Sequence, residues 1–157
     1  MKPTCVISCP IDTFSGYGAR SRDFIKSLVK LKDKEWDIKI MPQRWGDTPW
    51  NYYPLNDPIR ERFIGQLQQQ PDIWIQITVP NEFQRVGKFN IGISAGIETT
   101  VYPGDFIEGS NRMDLNLNLQ IILQLVFLIL QFLSFDLFYY LLYQILCLKQ
   151  LVLSVLN

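Results

Sequence analysis

A chain of 157 residues has room for one globular domain with a real core and too little for two of ordinary size. Its fifteen basic and fifteen acidic side chains cancel, so no global field draws it toward nucleic acid or another polyanion. The lack of any histidine removes Ser-His-Asp and Cys-His nucleophile systems and the common histidine-bearing zinc sites, leaving carboxylates, Lys, Arg, Tyr or backbone groups for any catalysis.

In chain order, "TCVISCP" is a short β-rich apolar run ended by a proline, as expected of a buried first strand. Its run from Cys5 to Cys9 is too short for a signal-peptide core, so export is not indicated and a cytoplasmic location is expected. Cys5, Cys9 and Cys147 form no CxxC pair, which favours reduced thiols and offers no metal site. A glycine-bearing loop, "IDTFSGYGARSRDF", follows. From Gly16 the pattern turns helical, with Phe24, Leu28 and Leu31 at i, i+4 and i+7, Ile25 beside them, and Arg20, Arg22, Asp23, Lys26 and Lys30 directed elsewhere.

A second strand is expected at "WDIKIMP", where Trp36, Ile38 and Ile40 alternate with charged residues. After an aromatic loop, "QRWGDTPWNYYPLND", Asp57 and Pro58 form an N-cap and N1 pair. Ile59, Phe63, Ile64 and Leu67 then supply the apolar stripe of a second helix closed by Pro71. The runs "DIWIQITVP" and "FNIGISAGIE" read as third and fourth strands. Such βα alternation predicts an α/β fold with a Rossmann-like, doubly wound parallel sheet, whose ligands gather outside the carboxyl ends of the strands.

Three loops at those ends carry chemistry. Ser15, Gly16, Tyr17 and Gly18 open the first helix, where small residues let the backbone approach a ligand and N–H groups can hold an oxyanion, or where glycines merely permit a tight turn. The Trp45 to Tyr53 loop offers aromatics that can stack on a sugar face or simply pack over the sheet edge. In "SAGIETTVYPGDF", Glu98 lies just beyond a strand beside Gly96, Thr99 and Thr100. It is placed to orient a hydroxyl or accept its proton, with a turn-forming glutamate as the plainer alternative.

The succession "FSGYGARSRDFIKSL", "PDIWIQITVPNEF" and "NIGISAGIETTVYPGDFIEGSNRMDLNL" resembles the amino-terminal domain of GT-B-fold glycosyltransferases, especially the phage and bacterial group similar to family-4 enzymes. The last stretch is the most specific: an "ET" pair precedes a helix carrying "N-x-M-D" and then a strand, matched here by Glu98, Thr99, Asn111, Met113 and Asp114. The likeness covers about residues 1–117. It implies transfer of a sugar from a nucleotide-sugar donor to an acceptor hydroxyl, in a cleft between two Rossmann-like domains. On that reading Gly16, Tyr17 and Gly18 border the donor phosphates, Glu98, Thr99 and Trp45 line the acceptor side, and Glu98 is the catalytic candidate. No cofactor or metal is implied, there being no DxD motif. The donor-binding domain of such enzymes has no counterpart in this sequence, so the chain is expected to be inactive by itself.

Composition changes at about residue 114, which divides an incomplete Rossmann-like domain, 1–114, from a hydrophobic, helical tail, 115–157. Every Gly, Pro, Trp, Ala, Thr, Glu and Arg precedes that point, and only Asp136 and Lys149 are charged beyond it. Leu115 to Phe135 carries no charge and exceeds the roughly 18–20 residues that span a bilayer, so a membrane anchor is one reading. Gln120, Gln124, Gln131, Asn116 and Asn118 are costly in hydrocarbon, and no Lys or Arg cluster flanks the run. A shifted reading frame is the favoured alternative. A membrane-tethered module that binds a nucleotide or sugar without catalysis, and a non-functional remnant, stand as rival readings.

Overall fold

The computed structural model describes residues 2–95 and 101–118, all within one compact unit, Met1–Leu119. The expectations for Glu98 and Thr99, and for the helical tail beyond Asn118, lie outside the described residues. The elements are β1 (Thr4–Cys9), α1 (Gly16–Lys32), β2 (Asp37–Pro42), β3 (Ile73–Ile77), β4 (Phe89–Ser94), α2 (Gly104–Asn111) and β5 (Leu115–Asn118). All five strands run parallel in the order β2-β1-β3-β4-β5. The chain moves from β1 outward to β2, then returns past β1 to β3 and continues to the other edge. The direction therefore reverses between β1 and β3, the topological switch point at which ligands settle in open α/β sheets.

Register makes the two faces of the sheet chemically different. Cys5, Ile7 and Cys9 align with Ile38 and Ile40 on one side and with Ile73 and Ile75 on the other; Ile77 and Ile93 continue the row toward Leu117. Helix α1 covers this face, with Ile25 fully buried and Phe24, Leu28 and Val29 packed against the same cluster. Each such isoleucine contributes about 1.5–3 kcal/mol through burial. The opposite face carries Ser8, Gln76, Asn90 and Ser94, all buried, in place of the continuous apolar runs usual in parallel strands. Hydrogen bonds offset the burial of its amides. Asn90 Oδ1 accepts from the N–H groups of Val86 and Gly87, while its Nδ2 donates to Gly87 O and to Asp114 Oδ2.

Helix α1 begins where Ser15 Oγ accepts from Gly18 N at 2.9 Å, an N-cap bond, and ends with Lys30 and Lys32 beside its carbonyl pole. Its buried face differs from the apolar stripe expected from the sequence. Leu31 is exposed, whereas Arg22 is buried along with Gly18, Ser21 and Ile25. The arginine turns inward because carbonyls of the preceding loop need a donor there.

The second helix expected from Asp57 onward does not form. Asp57 Oδ1 does accept from Ile59 N at 2.8 Å, but only one 3-10 turn, Arg60–Arg62, follows. Phe63 then adopts an extended conformation and pairs in parallel with Ile40, and Ile64 N donates to Ile40 O at 2.8 Å. The free edge of β2 offers an acceptor that outcompetes continued helix.

Helix α2 ends at Asn111, so of the "N-x-M-D" residues only Asn111 is helical; Met113 is buried, and Asp114 leads into β5. Leu115–Asn118, expected as the start of the helical tail, instead form a strand paired with β4, because Leu115 and Leu117 alternate with Asn116 and Asn118 as a strand at a sheet edge allows. Among the described residues no helix is long and apolar enough to cross a membrane.

Candidate functional site

The loop from β1 to α1 is held by a chain of hydroxyls. Thr13 Oγ1 donates to Pro10 O at 2.8 Å, so the 2.7 Å contact between Thr13 and Ser15 is filled by the Ser15 proton, and Ser15 Oγ is left to accept from Gly18 N. Gly18 is a glycine for a packing reason: a Cβ there would run into the backbone oxygen of Thr13 and stand 2.7 Å from its hydroxyl. Gly16 is different, since a Cβ on it would meet nothing within 4 Å. The Gly16 and Tyr17 N–H groups, at the positive pole of α1, have no hydrogen-bond partner among the described residues.

Around this loop the aromatic segment after β2 is clamped down. Thr13 bridges Trp50 in antiparallel fashion, and Phe14 N donates to Pro49 O. Arg22 Nη1 donates to Ile11 O at 2.8 Å and Thr13 O at 2.7 Å, and its guanidinium lies 3.6 Å from the centre of the Tyr52 ring. Buried Asp12 accepts from Tyr53 N through Oδ1 and pairs with Arg60 Nη2 at 2.9 Å through Oδ2. Asn51, at φ 67°, makes the turn that brings Tyr52 and Tyr53 back to Asp12. Burial pushes the Tyr53 phenol above its ordinary pKa, and its Oη, like Ser8 Oγ, is buried without a hydrogen-bond partner among the described residues. Most aromatics of this loop are thus consumed by the fold.

Trp45, three residues past the end of β2, packs instead on the start of α1. Its ring stacks on Tyr17, with centroids 4.3 Å apart and planes 31° apart. The Tyr17 hydroxyl in turn accepts from Ala95 N at 3.2 Å, just past the end of β4. Because β3 lies between β1 and β4, the Tyr17 hydroxyl links the start of α1 to the residue after β4 across the width of β3. Both rings are half-buried. The structure therefore brings together Gly16, Tyr17 and Trp45 and sets Gly18 beneath them. It does not describe Glu98 and Thr99.

Sequence reasoning passed over the turn after β3, where Pro80–Glu82 forms a single 3-10 turn. Thr78, fully buried, donates its hydroxyl to the Glu82 carboxylate. The spacing Thr78 to Glu82, with Pro80 between them directly after a strand, is the signal that marks it. Two cavities of about 340 and 470 Å³ lie elsewhere, against β2: one lined by Thr4, Val6, Lys39 and residues 64–69, the other by Val29, Pro58 and Arg62 among others. Neither touches the carboxyl ends of β3 and β4. Among the described residues, no group of three or more His, Cys, Asp or Glu is placed to hold a metal ion.

No family model, curated protein or solved structure matches the chain.

Proposed function

We propose that the chain is the amino-terminal, acceptor-side half of a GT-B-type glycosyltransferase, which transfers a sugar from a nucleotide-sugar donor to an acceptor hydroxyl in the cytoplasm. The observation that carries the reading is the Tyr17–Trp45 stack, joined through the Tyr17 hydroxyl to Ala95 after β4 of a parallel sheet. It offers an aromatic face where such folds take ligands, beside the open backbone of Gly16. The motif resemblance then supplies the class of reaction.

In this reading the Gly16 and Tyr17 N–H groups receive an oxygen of the donor phosphates, and Trp45 supports a sugar ring. Glu98, with Thr99, orients the acceptor hydroxyl and takes its proton. No cofactor or metal enters, the nucleotide sugar being a substrate. Alignment of donor and acceptor between the two domains of such enzymes is worth about 7–11 kcal/mol of barrier.

The test is titration of the full chain with uridine- and guanosine-diphosphate sugars, followed by amide NMR and by fluorescence of the wild type against Trp45→Phe. Saturable shifts at Gly16 and Tyr17, with quenching lost in Trp45→Phe, are expected. An absence of both for every nucleotide sugar sinks the reading. Translating the coding DNA after Asp114 in its other frames adds a second check: a continuing α/β domain supports the enzyme, and its absence favours a membrane-tethered binding module.

A further inference from the structure

The turn Pro80–Glu82, near the start of the connection from β3 to β4, has Pro80 buried and is held from several sides. Gln76 Nε2 donates to Glu82 O at 2.8 Å, and Gln76 Oε1 accepts from Gln84 N at 2.9 Å. Arg112 Nη1 donates to Phe83 O at 3.1 Å and Asn81 O at 3.4 Å. Buried Phe83 sits directly on Gly92 of β4, where a Cβ would lie 2.8 Å from its Cζ, and α2 brings Gly109 against the Pro80 carbonyl. These contacts come from β3, β4 and the end of α2. Together they fix one exposed carboxylate immediately beyond the end of β3.

The carboxylate is also oriented. Thr78 Oγ1 donates to Glu82 Oε2, and Oε1 has no hydrogen-bond donor among the described residues. Glu82 forms no ion pair among the described residues either. The Tyr17 hydroxyl links the start of α1 to Ala95, just past the end of β4. The Glu82 turn is bonded to Gln76 and packed on Gly92, on the face opposite α1, so its carboxylate lies at the carboxyl end of β3 and β4 from that side.

We propose that Glu82 is a ligand-binding residue whose Oε1 accepts a hydroxyl of a sugar ring seated outside the carboxyl ends of β3 and β4. Assignment of the ligand as a sugar rests on the function proposed above; the position and orientation of the acceptor do not. A carboxylate that accepts a hydroxyl makes a short, charge-assisted bond. Glutamine keeps the shape and loses the charge, which should weaken binding about tenfold.

The full chain, held in mild detergent, is titrated with methyl glucoside, methyl galactoside and methyl mannoside while the amides of Thr78, Glu82 and Ala95 are followed by NMR. Saturable shifts at these amides for at least one glycoside are expected. Glu82→Gln should raise that Kd about tenfold with little change in melting temperature, and Thr78→Val should weaken binding by releasing the carboxylate from its set orientation. Equal affinity in wild type and Glu82→Gln overturns the proposal, as does a fall in melting temperature in both variants with binding intact, which would make the pair a clasp of the turn alone. If nucleotide sugars shift Gly16 and Tyr17 while no glycoside shifts Glu82, this proposal fails and the enzyme reading stands. If neither class of probe shifts anything, both fail.

Discussion

Gly109 of α2 rests on the carbonyl of Pro80, so close that a methyl group at 109 would penetrate the Pro80 backbone. No flexible side chain is available to yield, so the helix and the turn after β3 must part. Gly109→Ala should therefore cost about 3 kcal/mol, the upper end of overpacking effects. Denaturant unfolding measures it, and a loss under about 1 kcal/mol would show that the turn moves freely. Gly92→Ala, which meets the Phe83 ring at 2.5 Å, gives the contrasting case of a side-chain neighbour. Adding Phe83→Leu to it should recover part of its loss.

Thiol chemistry tests the α1 face of the sheet. Cys5 and Cys9 are fully buried, and burial pushes both thiols up to about 12, with the Ser21 side chain and the Ile11 backbone only partly opposing this at Cys9. At pH 8 roughly one molecule in ten thousand then holds either as thiolate, the reactive form. Iodoacetamide at pH 8, with the sites mapped by mass spectrometry, should leave both unmodified until denaturant is added. Modification of Cys5 or Cys9 in the native protein within minutes would show that α1 opens readily.

Acid should loosen the link between β4 and β5. Hydrogen bonds from the Asn90 side chain and then its backbone, helped by the Arg85 guanidinium, hold the Asp114 carboxyl below the usual carboxylate range. Its native pKa thus lies below the unfolded value of about 4. The unfolded state takes up the proton first as pH falls, so the contribution of Asp114 is complete above that value and is lost as pH drops through the native one. Asp72, bonded by Lys88 and by Thr4 N, is held down in the same direction. Melting temperature between pH 5 and 2 should fall less steeply in Asp114→Asn than in the wild type; parallel curves would remove Asp114 from the acid response.

The first four strands and α1 were legible because their signals are local, whereas β5 lay in residues read as the helical tail. Runs such as Cys5–Cys9 and Ile73–Ile77 are apolar and β-branched, and the βα order alone argues for a parallel sheet. The helix expected over Ile59 to Leu67 failed because its pattern contains no information about the free edge of β2, which captured Phe63 and Ile64. Arg22 read as lying off the apolar stripe of α1 for the same reason. Its partners, Ile11 O, Thr13 O and the Tyr52 ring, come from two loops that periodicity does not connect.

At the carboxyl end of the sheet the division is similar. Gly16, Tyr17, Gly18 and Trp45 could be chosen from the sequence as small or aromatic residues in loops beyond strands. Only the fold separates Gly18, wedged against Thr13, from Gly16, which is open, and only the fold stacks Trp45 on Tyr17 and joins the Tyr17 hydroxyl to Ala95. The sequence by itself determined the chemistry available, a domain without histidine whose apolar runs make a parallel α/β sheet. Tertiary structure decided which polar groups stay free to act, because that depends on partners such as Thr78 for Glu82 and Ser15 for Gly18. Strand pairing and loop closure decide which of those partners meet at the carboxyl end of the sheet.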